Sequence, residues 1–390
     1  MRISGLLTIF AILLFLSGCQ STEQAQVDLK PVFLDTAFSG YQAVPVESEQ
    51  EIFALDSDAK VFVNNLTVAK NMVHAKNRNK VMESLIRAIF NRSDFNMIYD
   101  NGANTTASET FNNRAANCLS LSIMTYALAK QAGFDVRFQE IDIPEYWTRK
   151  DGYSLINGHI NLRISDVSDT SMILLENRTM VVDFDPFSPK KYFPSTEVNK
   201  QRVVSMFYNN KGAEALVNGD HLTAYSYLKA AVQADIMFQD AWTNLGILYR
   251  MAGHHDWAEK TYEEALKLNQ DNLTIWENLA ILHEHQGRYE LAKNIQEFVT
   301  QKRLRNPYYH FILGEQELET GNFREALAHY KKAISIDESH HEFYFGMAKA
   351  HANLGNSKQA MKYLKRAKRN TQIDDLKDRY QHKMDLFAKL

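Results

Sequence analysis

From residue 205 to residue 374 the chain repeats itself every 34 residues, and no other feature restricts its fold as tightly. Units begin at Ser205, Gln239, Leu273, Pro307 and His341. Position fifteen of every unit is glycine: Gly219, Gly253, Gly287, Gly321 and Gly355. A residue without a Cβ at one fixed point of each unit marks a turn between two helices. Position eight is Gly212, Gly246, Ala280, Gly314 and Ala348, and position twenty is Ala224, Ala258, Ala292, Ala326 and Ala360, so small residues let the paired helices cross closely. Stacked helical pairs bury one continuous core and need a closing element at the end. Leu376, Tyr380, Met384 and Phe387 share one helical face and suit a capping helix over 375–390.

In the second unit Trp242, Leu245, Gly246, Tyr249, Ala258, Tyr262 and Ala265 resemble the tetratricopeptide pattern. The resemblance implies an all-α superhelix of five repeats over 205–374, in which the first helix of each unit lines a concave groove for a protein or peptide partner. The groove positions it implies are Asp240, Thr243, Ile247, Arg250, Glu277, Ile281, Tyr308, Phe311, Glu315, Phe345 and Lys349. The Lys and Asn set that some such arrays use to clamp a C-terminal carboxylate is not evident. His254-His255, His283 with His285, and His340-His341 lack ligand spacing with a third partner, so they read as surface helix ends; no metal or cofactor is expected.

The N-terminal end reads as a targeting segment over 1–18: Arg2, an apolar run from Leu6 to Leu16 too short to span a bilayer, then Leu16-Ser17-Gly18-Cys19. This ending resembles the lipobox of bacterial lipoproteins. The resemblance implies lipidation of Cys19 and, with Gln20 after it, the outer membrane of a Gram-negative cell with the body facing the periplasm. Residues 19–48 lack a clear period and read as a tether. A net charge of −3 gives no sign of nucleic-acid binding. With Cys19 lipidated, Cys118 has no second thiol with which to form an intramolecular disulfide.

Residues 49–200 contain no repeat and run from helix to strand. Asn79 to Phe90 has helical spacing of Val81, Leu85, Ile86 and Ile89, and a second helix opens near Cys118 and stops at Gly133. The amides and dipole at a helix start favour a thiolate, the nucleophilic form. Strands are expected over Asp135 to Ile141, Gly158 to Ile164 and Thr179 to Phe184; His159 falls on the polar face of the middle one, and Asp183 and Asp185 share a face of the last. Between the first two, Asp142 to Asn157 reads as a long loop, either a substrate wall or a plain surface loop.

NCLSLSIMTYALAKQAGFDVRF, GHINLRI and MVVDFDP look like the core of the transglutaminase-like superfamily. That resemblance implies an α+β, papain-like domain over 49–200 with a Cys-His-Asp triad for acyl transfer: Cys118 as nucleophile, His159 as base, and Asp183, or alternatively Asp185, as the residue that orients the imidazole. The sequence departs from the family where Asn161 stands in place of a common Trp and Asn117 in place of a Gly. The expected function is an exported, lipid-anchored cysteine hydrolase or acyltransferase with a recruiting repeat array. The alternative is a non-catalytic outer-membrane adaptor.

Overall fold

The computed structural model describes residues 32–69, 75–90, 97–100, 102–141, 147–150, 153–156, 159–166, 179–184, 195–371 and 374–387. Cys19 and the whole 1–18 segment lie outside them, as does Asp185. No helix among the described residues is long and apolar enough to cross a membrane.

The first part consists of α1 (Glu49–Phe53), α2 (Ser57–Ala69), α3 (Ala75–Phe90), β1 (Ile98–Tyr99), α4 (Ala107–Asn113), β2 (Ala115–Ala116), α5 (Cys118–Gln131), β3 (Asp135–Ile141), β4 (Trp147–Lys150), β5 (Tyr153–Ile156), β6 (His159–Ser165), β7 (Thr179–Val182) and β8 (Ser195–Val198). Strands pair antiparallel in the order β7-β6-β3-β8, with Phe138 opposite Leu162 and Val198. Alternation along β6 buries Ile160, Leu162 and Ile164 and leaves Arg163 exposed. The helix α5 is buried on most of its circumference, because the sheet covers one side and the preceding helices cover another. It ends at Gly133, whose φ of 80° is open to a residue without a Cβ.

Within 142–157, residues 147–150 and 153–156 depart from the loop reading. β4 and β5 form a hairpin with Lys150 opposite Tyr153. Two strand-forming runs flanking Asp151-Gly152 are a strong hairpin signal, and that dipeptide was the cue to read.

The repeats follow as α6 (Lys200–Val217), α7 (His221–Ala234), α8 (Gln239–Met251), α9 (His255–Leu268), α10 (Leu273–His285), α11 (Tyr289–Leu304), α12 (Pro307–Glu319), α13 (Phe323–Ile336), α14 (His341–Asn353), α15 (Ser357–Arg369) and α16 (Asp374–Phe387). All five position-fifteen glycines adopt positive φ, between 73° and 84°. The position-eight glycines are close crossings. A Cβ on Gly314 would stand 2.6 Å from Tyr330 Cε1, and one on Gly246 would fall on the Tyr262 ring. Gly314→Ala is therefore expected to lower stability by about 1–3 kcal/mol through overpacking. Urea unfolding checks this, and an unchanged midpoint would contradict the close crossing.

One apolar core runs from Val32 through α5 and the sheet into the repeats as far as Val299. A second gathers Phe311, Tyr330 and Phe343, and a third closes under α16 through Tyr344, Leu364 and Tyr380. Only Asn199, the cap of α6, separates β8 from the first repeat, and Val203 to Asn209 of α6 are all buried because both parts pack on it. The α+β part is thus a small sheet and its helices on a core shared with the array, rather than a body set apart from it. Residues 32–47 also take part: they pack along α7 and the end of α8, with Val32 and Phe38 buried.

Candidate functional site

The first helices of the repeats carry the expected groove residues, but the core claims some of them. Phe311 is buried against Tyr330 and Phe343. Thr243 is buried and returns its hydroxyl to Gln239 O at 3.0 Å. Periodicity alone cannot separate these from groove residues, since both occupy one broad stripe of the helix. Others tie neighbouring helices together. Glu277 pairs with Arg303 at 2.5 Å, and Tyr308 Oη meets His340 Nδ1 at 2.7 Å. Glu315 accepts from Tyr330 Oη and from Lys349 Nζ, each at 2.5 Å, which fixes α12, α13 and α14 to one another. Phe345 packs on Tyr380 of α16. Asp240, Ile247, Arg250 and Ile281 keep part of their surface open. The sequence reading missed Asn244, whose Nδ2 donates to Asn209 Oδ1 at 2.8 Å across one repeat step.

Although Asp240 keeps some open surface, its carboxyl is closely surrounded, and the loss of hydration pushes it up to about 6, with the Arg202 guanidinium acting in the opposite direction. The folded protein therefore binds this proton more tightly than the unfolded chain does. The resulting penalty is present at pH 7 and disappears as pH falls through 6 toward 4. Asp240→Asn is expected to raise stability at pH 7.5 by about 1–3 kcal/mol and to leave it unchanged near pH 4. Equal effects at both pH values in urea melts would count against this.

Cys118 is the first residue of α5 and is half-buried. The parallel pairing of β1 with β2 carries the chain to Asn117, whose Oδ1 accepts from Ser120 N at 2.8 Å and caps the helix. Asn117 Nδ2 donates to Asn104 Oδ1 at 2.6 Å, and Asn104 Nδ2 donates to Glu214 Oε2 of α6 at 3.3 Å. Asn117 thus has a structural task, and the helix start is wired to the first repeat.

His159 opens β6 opposite Ile141, and Asp183 directly follows Val182, which pairs with Leu162. The start of β6 and the end of β7 therefore lie at one end of the sheet. The short connection from α5 to β3 sends the chain back along the helix, so Cys118 stands toward that same end. Asn161, two residues along β6 from His159, is buried, and its Oδ1 has no hydrogen-bond partner among the described residues. No group of His, Cys, Asp and Glu able to hold a metal ion occurs among the described residues. The histidine pairs do not all sit at the surface: His283 and His341 are buried.

Three tetratricopeptide-repeat family models match the chain, at residues 240–272, 261–294 and 317–375. Superkiller protein 3 of Schizosaccharomyces pombe is 25% identical over 151 residues, which is 37% of this chain; the chain spans 11% of that relative's length. Among solved structures, a MamA protein is 24% identical, with 42% of this chain and 89% of the other covered and a TM-score of 0.23. PilF of Pseudomonas aeruginosa is 19% identical, with 45% and 80% covered and a TM-score of 0.27. YrrB, described as a TPR protein with an unusual peptide-binding site, is 18% identical, with 48% and 94% covered and a TM-score of 0.24. With the register of glycines and the helical pairs already described, the family matches establish that this chain carries tetratricopeptide repeats.

Proposed function

We propose that this protein is a scaffold, held to an outer membrane through a lipidated Cys19, whose repeat array binds a protein or peptide segment. The observation that carries this reading is the surface of α8 and α10. There Ile247 and Ile281 remain partly open one repeat apart, beside Asp240 and Arg250. Fixed contacts such as the Glu277–Arg303 pair and the Glu315 bonds hold the helices in place, which lowers the ordering needed on binding. Affinity capture from the native host with the Ile247→Glu/Ile281→Glu variant tests it. Loss of the partners retained by the wild type, at an unchanged melting temperature, supports the scaffold; identical capture rejects it. Cys19→Ala should move the protein from the membrane fraction to the soluble one.

A second reading is supported by strand order and register, which bring the starts of α5 and β6 and the end of β7 toward one end of the sheet. In it Cys118 Sγ attacks an acyl carbonyl, His159 takes the thiol proton and returns it to the leaving group, and Asp183 or Asp185 orients the imidazole. The acyl-enzyme is then resolved by water or by an amine. Its test is hydrolysis of a peptide library: Cys118→Ala and His159→Ala should each abolish turnover while the protein stays folded. A wild type without turnover, or variants that retain it, would leave the scaffold alone.

A further inference from the structure

Residues 32–47 lie on the repeats in the manner of a bound peptide. Apart from one turn of 3-10 helix, Tyr41–Ala43, they form no regular element, and Asp35, Thr36, Ala37, Ser39 and Gly40 stay exposed. Side chains of the repeats take up their main-chain groups. Tyr249 Oη donates to Val32 O at 2.7 Å and accepts from Leu34 N at 3.2 Å, while Ser226 Oγ donates to Tyr41 O at 2.9 Å. Such pairing gives affinity without regard to sequence.

Specificity comes from three side chains spaced three residues apart. Phe38 is stacked on Tyr225, with ring centroids 4.4 Å apart and planes at 11°, and it also faces Tyr249 and His254. Asp35 accepts from Tyr225 Oη and from Lys229 Nζ, each at 2.6 Å. Tyr41 stands edge-on to Tyr225 and its hydroxyl accepts from Lys229 Nζ at 2.6 Å. The decisive feature is Lys229 itself. It is 8% exposed, and its counter-ion comes from residues 32–47 rather than from the repeats. With the segment seated, this covered cation is neutralised by the Asp35 carboxylate, and an occupant of the same face without an acidic group would bury the charge unpaired, so the face favours an acidic ligand. The carboxyl of Asp35 is accordingly held below its ordinary range by these hydrogen bonds.

We propose that the face formed by α7 and the end of α8 is a recognition site for a peptide of the pattern Asp-x-x-Phe-x-x-Tyr, and that residues 32–47 fill it as a releasable ligand in cis. This site is separate from the groove of the preceding proposal. The segment is held by individual side-chain contacts, including Tyr227 and Tyr208 at Pro45 and Glu47, rather than by a strand ladder, and its upper surface is exposed, so it can leave the face as one piece.

The test uses the full chain and a fluorescein-labelled peptide of residues 32–47, read by fluorescence anisotropy. In the wild type the site is filled in cis. Asp35→Ala/Phe38→Ala in the chain should empty it and bind the peptide at least tenfold more tightly than the wild-type chain does. A peptide carrying Phe38→Ala should bind at least tenfold more weakly than the unaltered peptide, and Lys229→Met added to the emptied chain should abolish binding. Should the double variant not fold, Asp35→Asn, which removes the charge and keeps the shape, serves in the same comparison. Equal binding to filled and emptied chains, or to both peptides, overturns the proposal. Ile247→Glu/Ile281→Glu should leave the peptide affinity unchanged, so failure here and failure of the scaffold reading are distinguishable.

Discussion

Trp242→Ala should destabilise the protein by about 3–5 kcal/mol and loosen the sheet together with the repeats. Trp242 is fully buried in α8, and its Nε1 donates to Ile236 O at 2.8 Å. Truncation opens a large cavity and leaves that carbonyl without its donor. Its core continues without a break through α6 into α5 and the sheet, so the loss is shared across residues 32–299. Tyr330→Ala, in the separate cluster of α12 to α14, should loosen that region and leave the sheet amides protected. Hydrogen exchange distinguishes the two variants. If Trp242→Ala leaves exchange in β3 and β6 unchanged, the two parts are energetically independent, and the shared core does not couple them.

Local signals in the sequence reported local structure faithfully. Gly219 and its counterparts mark turns of positive φ because that backbone requirement belongs to a single residue. The end of α5 was legible because its stop, Gly133, lies beside it in the chain and takes positive φ. What was not legible depends on distant partners. Asp35 meets Tyr225 across 190 residues, and nothing in the aperiodic stretch around it announces an aromatic shelf on the repeats. Thr243 and Phe311 share a stripe with true surface residues, and only the packing of neighbouring helices separates them. That the starts of α5 and β6 and the end of β7 lie toward one end of the sheet depends on strand order and register, which no short-range pattern contains.

The same dependence on distant partners makes His341 the source of the second large effect, a loss of stability at mildly acid pH. It opens α14 and was read as a surface histidine, but α16 folds over it and brings Tyr380 Oη to within 2.8 Å of Nδ1. Burial, with His340 alongside, pushes the imidazole down to about 4. The folded protein then resists a proton that the unfolded chain accepts near its ordinary value of about 6.5. Stability is unaffected above that value, declines as pH falls from about 6.5 toward 4, and reaches its full loss below the folded value. Taken whole, the shift amounts to about 3 kcal/mol; solvent reaching the site reduces this to about 2 kcal/mol. Glu342, 3.4 Å from His341 Nε2 and with its own carboxyl raised by burial, takes up a proton in the folded state and offsets part of the loss at the lower end. Asp240, in the other core, changes in the opposite sense over the same range. Acidification from pH 7 to 5 should therefore weaken α14 to α16 while strengthening the packing around α8, so that α16 amides exchange first. His341→Gln, which keeps a hydrogen-bonding side chain without a titrating group, should flatten the decline; an equally steep loss in that variant would assign the acid sensitivity to another group.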